Sequence, residues 1–196
     1  MTPRPTARLK TYDNSWYRPG PFWKRTAWFF LGQPLVASGW LPWSGMRVFL
    51  LRAFGSTIGD GVVIKPGVRV KHPWFFTVGN DCWIGEDCWI DNLTEVRLGN
   101  DVCLSQGAYL CTGNHNWSDP AFGLIVRPIE CMDGSWAAAR SLLLPGTVLG
   151  RGAIAAAGSV VNGVVPDFQI YAGNPASYLR ERVIAETTAT PERTLA

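Results

Sequence analysis

Two histidines, His72 and His115, are the side chains of this 196-residue chain best suited to acid–base catalysis, because the ordinary pKa of imidazole, about 6.5, lies close to cellular pH. His72 precedes Pro73 in an aromatic loop, where packing or solvent exposure is the expected role. His115 follows Gly113 and Asn114, at a point where the regular pattern of the chain breaks off. A lone histidine is more often structural than catalytic, so position alone leaves both roles open for His115.

The regular pattern is a repeat of six residues. Successive hexapeptides read IGDGVV and IKPGVR from Ile58, VGNDCW and IGEDCW from Val78, and LGNDVC and LSQGAY from Leu98. A second run begins CMDGSW at Cys131 and continues to Val161. The first position of each hexapeptide is apolar and the fifth is usually small or β-branched, which fits neither a helical period of about 3.6 residues nor strict alternation. The first-position residues are Ile58, Ile64, Val70, Val78, Ile84, Ile90, Leu98, Leu104, Leu110, Cys131, Ala137, Leu143, Leu149, Ala155 and Val161.

A six-residue period suits a chain that runs straight for a short strand, turns and repeats, so that three hexapeptides close a triangular coil of about 18 residues. Stacked coils then bury the first-position side chains in columns, while backbone groups pair with the coils above and below. Gly, Asn and Asp mark the corners, where they accept turn conformations that β-branched residues resist. The sequence therefore predicts an all-β fold, a parallel β-helix of hexapeptide repeats.

Three interruptions of the repeat predict loops, and loops on a rigid scaffold are where binding and catalytic residues concentrate. The segment Val70–Thr77 replaces a regular hexapeptide, a two-residue excess follows Ile90, and a long excursion covers about residues 113–130. The excursion has the greatest potential for chemistry, because it opens with TGNHNWSDPAF and carries His115 where the chain leaves the coil.

Several motifs resemble the hexapeptide-repeat acetyltransferase superfamily. The TGNH segment is similar to the position where sugar O-acetyltransferases of this superfamily carry a catalytic histidine, in a loop that departs after a regular coil. The matching repeats cover roughly residues 58–165. The resemblance implies a left-handed coil and makes His115 the expected general base. Three segments resemble the colanic-acid-type branch of these enzymes, namely IDNL at 90–93, SQGAYL at 105–110 and SDPAF at 118–122.

The resemblance implies an acetyl-CoA-dependent O-acetyltransferase that modifies a sugar hydroxyl in the synthesis of a cell-surface polysaccharide or glycolipid. The hydroxyl must lose its proton as it attacks the thioester, and the neutral imidazole of His115 is a suitable base. Asp91 and Asn92 lie at the family position for a polar partner in catalysis, although each also suits a plain corner role. Asn114 and Trp117 are expected to bind the acceptor, with a turn role for Asn114 and a subunit contact for Trp117 as the alternatives.

The second run of repeats, with its closing AGNPA motif, resembles the coenzyme A platform of the family. Many relatives have Thr-Lys where this chain has Asn162-Gly163, so a lysine for the coenzyme phosphates is missing. Packing against a neighbouring subunit is the alternative role for Trp136. The resemblance implies that the pantetheine arm lies along Trp136, Ala139 and Ala157. It implies that the nucleotide lies nearer to Asn162, Gly163 and Arg180. The charge for the phosphates must come from arginines, for which the candidates are Arg180, Arg182, Arg140 and Arg151.

The segments that flank the repeats are predicted to be short appendages. Residues 1–55 should form an N-terminal helical or irregular cap, residues 56–166 the β-helix, and residues 167–196 an extension with a short C-terminal helix. The stretch from Thr26 to Met46 carries no charge, but its Gly and Pro residues favour short helices over the open end of the coil rather than a transmembrane helix. The alternative is interfacial membrane contact through Trp28, Phe29, Phe30, Trp40 and Trp43.

Composition limits the remaining function classes. The chain has 18 basic and 15 acidic residues without a block of like charge, which does not indicate nucleic-acid binding. Five cysteines fit neither a disulfide framework nor paired zinc ligands, and the N-terminus lacks the pattern of a secretory signal. We therefore expect reduced thiols, no metal and a cytoplasmic location, with contact to the inner membrane face left open.

Members of the resembled family usually form homotrimers with sites between adjacent subunits, and we expect the same of this chain. The γ-class carbonic anhydrases share the fold but hold zinc with three histidines, whereas this chain has two. An amino-sugar N-acetyltransferase and a non-catalytic β-solenoid scaffold are the alternatives to O-acetylation. The acceptor implied by the resemblance is a sugar or glycan, either free or lipid-linked.

Overall fold

The computed structural model describes residues 6–41 and 43–185, and its centre is a left-handed parallel β-helix. The strands in these ranges are short because the chain turns after two or three residues. They are β1 Thr57–Ile58, β2 Val63–Ile64, β3 Arg69–Val70, β4 Phe76–Val78, β5 Trp83–Ile84, β6 Trp89–Asp91, β7 Val96–Leu98, β8 Cys103–Leu104, β9 Tyr109–Cys111, β10 Gly113–His115, β11 Leu124–Val126, β12 Ile129–Cys131, β13 Trp136–Ala137, β14 Leu142–Leu143, β15 Val148–Leu149, β16 Ile154–Ala155, β17 Val160–Val161, β18 Val164–Val165, β19 Gln169–Gly173 and β20 Ala176–Glu181.

Three sheets form the faces of the prism. Face A has the order β1-β4-β7-β12-β15-β18, face B has β2-β5-β8-β13-β16-β19-β20, and face C has β3-β6-β9-β14-β17. Strands of successive coils pair in parallel, as shown by Ile58 opposite Val78 and by Ile90 opposite Leu110. Because the chain visits A, B and C in turn, each coil also has an A–B turn, a B–C turn and a C–A turn.

The predicted apolar columns are confirmed. Every first-position residue of the repeat is buried, including the small Ala137 and Ala155, and these side chains fill the prism from end to end. Corners use the left-handed backbone region, in which Asp81 has a φ of 55° and Gly67 a φ of 78°. A Cβ atom on Gly67 would lie 2.0 Å from Oδ1 of Asp87, so this corner requires glycine both for its backbone angle and for its closeness to the next coil.

All three interruptions fall at the C–A turn. The first two each add two residues, so that Ile58 pairs with Val78 and Val78 with Leu98, whereas the predicted 18-residue coil is found between Cys131 and Leu149. The third is the excursion between β9 and β12. One edge of the prism therefore carries every departure of the chain from the regular coil.

The N-terminal cap consists of a 3₁₀ turn at Leu9–Thr11, α1 Phe22–Ala27, a π-helical turn Trp28–Gly32, α2 Gln33–Ala37 and α3 Ser44–Ala53. It covers the open end of the first coil and satisfies its backbone groups. The indole of Trp28 donates to the Val70 carbonyl at 2.8 Å, and Oε1 of Gln33 accepts from the Val70 amide at 2.9 Å. None of the helices in the described ranges is long and apolar enough to cross a bilayer.

Trp28 was named in the alternative to a packed cap, an interfacial membrane contact, and the structure places it instead in the packed cap. Its side chain is 3% exposed, and its ring packs 5.0 Å from that of Phe54, because the helical turn aims it down the axis of the prism. By contrast, Trp40 is 96% exposed and Trp43 70% exposed. Phe29 and Phe30 also lie on the outside of the cap.

The predicted short C-terminal helix is replaced, in residues 167–185, by an antiparallel hairpin of β19 and β20. Ile170 pairs with Ile154, which extends face B by one more strand. The hairpin turns at Gly173, whose φ is 100°, and at the cis peptide bond before Pro175. Edge pairing to face B satisfies backbone groups that a helix at this place would leave unpaired with the coil.

Candidate active site

The excursion is a β-hairpin that leaves the prism at the C–A turn. Strands β10 and β11 pair antiparallel, with His115 opposite Leu124. The amide of Arg127 donates to the Thr112 carbonyl at 2.9 Å, which closes the base of the hairpin. Because both strands are held by the coil on either side, His115 projects from a fixed framework rather than from a free loop.

The imidazole of His115 is held in one orientation by Phe122. Nδ1 of His115 lies 2.9 Å from the Phe122 carbonyl oxygen, and the two rings stack with centroids 4.5 Å apart at an interplanar angle of 10°. A carbonyl oxygen only accepts, so Nδ1 carries the proton and Nε2 keeps its lone pair. Phe122 has a φ of 53°, so the residue whose carbonyl meets the imidazole lies in the left-handed region. Nε2 is therefore the proton acceptor of a neutral His115.

The N-terminal segment lies against the same hairpin. The ring of Tyr12 has its centroid 5.6 Å from that of His115, and the Arg8 amide donates to the Pro120 carbonyl at 2.7 Å. Sequence reasoning did not assign Tyr12 or Phe122 to the site. Phe122 lay within the SDPAF motif of the same excursion, but no sequence signal shows that its carbonyl turns to the histidine or that Tyr12, in a distant segment, meets it.

A cavity of about 190 Å³ opens beside His115. It brings together His115, Asn114 and Trp117, the residues expected for catalysis and acceptor binding, with Asn162 from the last C–A turn, which was expected to bind the coenzyme. Sequence reasoning missed Arg127. Its position as the only lysine or arginine of the excursion could have pointed to it. The complete lining is Asn114, His115, Asn116, Trp117, Ile125, Arg127, Leu144, Pro145 and Asn162.

Asp91 is not part of the lining of this cavity in the described ranges. One of its carboxylate oxygens pairs with Nζ of Lys71 at 2.8 Å, and the other accepts from the Tyr109 hydroxyl at 3.1 Å. Burial raises the pKa of the Tyr109 hydroxyl, and the Asp91 charge adds to this shift. The structure therefore places Asp91 in a polar cluster on face C, one coil before the hairpin.

Asn92 is completely buried and turns toward His72. Its Oδ1 accepts from the His72 amide at 2.9 Å, and its Nδ2 donates to the His72 carbonyl at 2.7 Å. His72 Nδ1 donates in turn to the Asn92 carbonyl at 2.9 Å, and burial lowers the pKa of this histidine. These bonds give Asn92 a structural role, because they hold the preceding C–A turn at His72. They leave its side chain facing His72 and not the cavity beside His115.

The residues expected along the pantetheine arm lie on a different edge of the prism from His115. Trp136 stands on face B, where its Nε1 donates to the Ser105 hydroxyl at 2.8 Å. Ala139 and Ala157 occupy successive B–C turns, joined by a bond from the Gly158 amide to the Ala139 carbonyl at 2.9 Å. Within one chain, these residues and the His115 cavity do not form a single site.

The four candidate arginines differ in their availability for phosphate. Arg182 donates through Nη1 to the carbonyls of Gly134 and Gly152, at 2.8 and 3.0 Å, so its charge is engaged by the backbone. Arg180 is exposed on β20, on the outer strand of face B, and Arg151 is exposed at an A–B turn. Arg140 is exposed in the same B–C turn as Ala139. Gly163 shares the C–A turn of Asn162 and has a φ of 94°.

The left-handed β-helix with a hairpin excursion is the fold that this chain shares with solved hexapeptide-repeat acetyltransferases. The hexapeptide-repeat acetyltransferase VCA0836 of Vibrio cholerae O1 biovar eltor, solved with acetyl coenzyme A, shares this fold. Its TM-score is 0.74 at 21% sequence identity, over 82% of this chain and 88% of that structure. A scan against models of protein families finds no match.

Sequence comparison with WcaF shows the family, and a second, more distant relative is consistent with it. A protein named as a colanic acid biosynthesis acetyltransferase, WcaF of Escherichia coli strain K12, is 36% identical over 165 residues, which cover 84% of this chain and 87% of the relative. A protein of the same strain named as a lipopolysaccharide biosynthesis O-acetyl transferase, WbbJ, is 24% identical over 65% of this chain and 70% of the relative. The chain belongs to the hexapeptide-repeat acetyltransferase family, in the branch of WcaF, and is an acyltransferase.

Proposed function

We propose that this chain transfers the acetyl group of acetyl-CoA to a sugar hydroxyl, with His115 as the general base. The observation that carries the proposal is the bond from Nδ1 of His115 to the Phe122 carbonyl, 2.9 Å long, because it leaves Nε2 free to accept a proton. The adjoining cavity, with Asn114 and Trp117, offers a place for the acceptor. The acetyl-CoA complex of VCA0836 supports the choice of donor.

In the proposed reaction the acceptor oxygen forms a bond to the thioester carbonyl carbon while its proton passes to Nε2 of His115. The tetrahedral intermediate then breaks its C–S bond, and the imidazolium returns the proton to the departing thiolate. The products are an acetyl ester and coenzyme A with a free thiol, and no acyl-enzyme forms. Arg127, which lines the cavity, is placed to stabilise the negative charge of the intermediate.

The positions of the expected residues favour a site shared between adjacent subunits of a homotrimer. Trp136 and Ala157 lie on face B and a B–C turn, whereas His115 departs from a C–A turn. Two inactive variants test this arrangement, His115→Ala and Ala157→Trp. Their co-expression should restore part of the activity, because some mixed interfaces contain one intact histidine and one intact platform. Full activity of a monomeric wild-type chain would contradict the shared site.

The proposed acceptor is a glycan of a cell-surface polysaccharide, since the names of WcaF and WbbJ connect those proteins with colanic acid and lipopolysaccharide. We further propose that the enzyme works in the cytoplasm with peripheral contact to the inner membrane face. The exposed rings of Trp40 and Trp43 on the cap support this contact, since indoles favour the membrane interface.

The decisive experiment measures thiol release from acetyl-CoA with a panel of sugars and glycolipids, followed by mass analysis of the product. An O-acetyl ester is cleaved by mild alkali, whereas an N-acetyl amide survives, so alkaline treatment separates O-acetylation from the amino-sugar alternative. The proposal predicts an alkali-labile product whose formation requires His115. A chain that binds no coenzyme A and releases no thiol with any acceptor would instead be a scaffold.

A further inference from the structure

A second cavity, larger than the one at His115, lies between the N-terminal cap and face C. It is a groove of about 650 Å³, a volume typical of sites for small organic ligands, and we call it the cap groove. Aromatic and aliphatic side chains form most of its surface. Its lining is Phe22, Arg25, Thr26, Trp28, Phe29, Phe30, Gln33, Arg69, Val70, Lys71, His72 and Trp89.

The charged groups that line the cap groove are all basic. Lys71 pairs with Asp91 at 2.8 Å, and the Arg69 guanidinium lies 4.5 Å from the ring centre of Trp89. Arg25 has no carboxylate within ion-pair distance in the part of the chain that the structure describes. The groove thus combines an apolar trough with cations that can meet an anion.

Basic residues are concentrated at the cap end of the chain, and acidic residues in the rest. Residues 1–59 contain eight basic residues and one acidic residue, whereas residues 60–196 contain ten basic and fourteen acidic residues. An anionic ligand is therefore attracted more strongly to the cap end than to the rest of the prism.

The cap groove and the His115 hairpin lie on the same side of the prism. Arg69, Trp89 and Tyr109 occupy equivalent outward positions on three successive coils of face C, and the rings of Trp89 and Tyr109 stack with centroids 4.6 Å apart. The hairpin departs directly after the third of these coils, at Gly113. Since neighbouring coils are about 4.8 Å apart, Lys71 at the groove and Gly113 at the base of the hairpin are separated by about 10 Å along the edge.

We propose that the cap groove binds the lipid end of a lipid-linked glycan, and that this contact positions the attached sugar for acetylation at His115. The hydrocarbon chain occupies the aromatic trough, the phosphate that joins chain and sugar meets Arg25 and Arg69, and the sugar extends over face C toward the hairpin. The inference rests on the proposed function and names its acceptor class. A second copy of this chain is a poorer occupant, because its own cap would bring the same positive charge to the groove.

Two pairs of neighbouring residues offer matched variants. Phe30 lines the groove and is 68% exposed, whereas its neighbour Leu31 is 62% exposed and does not line it. Arg25 lines the groove, whereas Lys24 lies over the ring of Trp74 on the other side of α1, at 4.9 Å. The test variants are Phe30→Ser and Arg25→Glu, and the controls are Leu31→Ser and Lys24→Glu.

Calorimetry with farnesyl phosphate below its micellar concentration tests the groove without any reaction. We expect the wild-type chain to bind this probe more tightly than either farnesol or inorganic phosphate. Each groove variant should weaken binding about tenfold, while each control stays near the wild type. Equal binding to all five proteins, or tighter binding of inorganic phosphate alone, would overturn the proposal.

Kinetics then separate this inference from the proposed function. The groove variants should raise KM for a polyprenyl-phosphate-linked sugar about tenfold and leave KM for a water-soluble sugar unchanged. If the wild type acetylates soluble sugars and the variants alter KM for neither acceptor, the groove is not an acceptor site. If the wild type acetylates nothing, the proposed function fails, and farnesyl phosphate binding still decides the groove. A change in subunit number for Phe30→Ser, with binding unaltered, would assign the groove to a contact between copies.

Discussion

Substitution of His115 by alanine should remove acetyl transfer while leaving the fold and coenzyme binding in place. General-base catalysis contributes about 10²- to 10⁴-fold, which corresponds to about 3 to 5 kcal/mol of transition-state stabilisation. The fold loses the ring stack on Phe122, with centroids 4.5 Å apart, worth about 1 kcal/mol. The expected pantetheine contacts come from Trp136 and Ala157 and not from the imidazole, so the affinity for coenzyme A should change little.

The assay is thiol release at saturating acetyl-CoA, together with calorimetric titration of coenzyme A and thermal unfolding. Ser118→Ala is the matched control, because Ser118 is exposed in the same hairpin and does not line the cavity. We expect kcat of His115→Ala to fall at least a hundredfold while Ser118→Ala keeps its activity. Turnover of His115→Ala within threefold of the control would refute the assignment of the base.

Three further predictions concern stability and the coenzyme. Burial lowers the pKa of His72 from its ordinary 6.5, so below pH 6.5 the unfolded chain binds a proton that the folded chain does not. The stability contributed by neutral His72 should be complete above pH 6.5 and fall as the pH drops toward the lowered pKa. His72→Gln should reduce this dependence of the melting temperature on pH. Gly67→Ala should lower the melting temperature more than Gly158→Ala, because both glycines have positive φ but only a Cβ on Gly67 meets an atom within 4 Å. Arg140→Glu should raise the dissociation constant of acetyl-CoA about tenfold, because Arg140 shares the B–C turn of Ala139. Arg151→Glu, at an A–B turn, should leave this constant unchanged. Calorimetric titration of both variants with acetyl-CoA checks the difference.

The repeat made the β-helix predictable, because each coil is a local structure whose buried column depends on residues six apart. Ile58, Ile64 and Val70 lie six apart on the three faces of one coil, and Ile58, Val78 and Leu98 then stack in one column from coil to coil. The C-terminal hairpin was not predictable in the same way. Its strand Gln169–Gly173 is stabilised by pairing with Ile154, fifteen or more residues earlier in the chain, so its local sequence does not show that it extends a sheet.

The cap was predicted as short helices over the open end, but the direction of its side chains was not. Trp28 and Phe29 are adjacent aromatic residues of similar hydrophobicity, and only the packing of the helical turn on the first coil sends Trp28 inward and leaves Phe29 outside. The same limit applies to Asp91 and Asn92. Adjacent residues of a strand and turn point in different directions, so Asp91 joins Lys71 while Asn92 is buried against His72.

The sequence by itself determined the coil, its three interruptions and the position of His115 within the longest of them, because a short period and its breaks are properties of neighbouring residues. Only the tertiary structure decided that all three interruptions share one edge, that the Phe122 carbonyl orients the imidazole, and that Asn162 and Arg127 meet at its cavity. The Phe122 contact depends on the turn of the hairpin, and the others join segments that are distant along the chain. Their geometry depends on how many coils separate them and on which face each segment leaves.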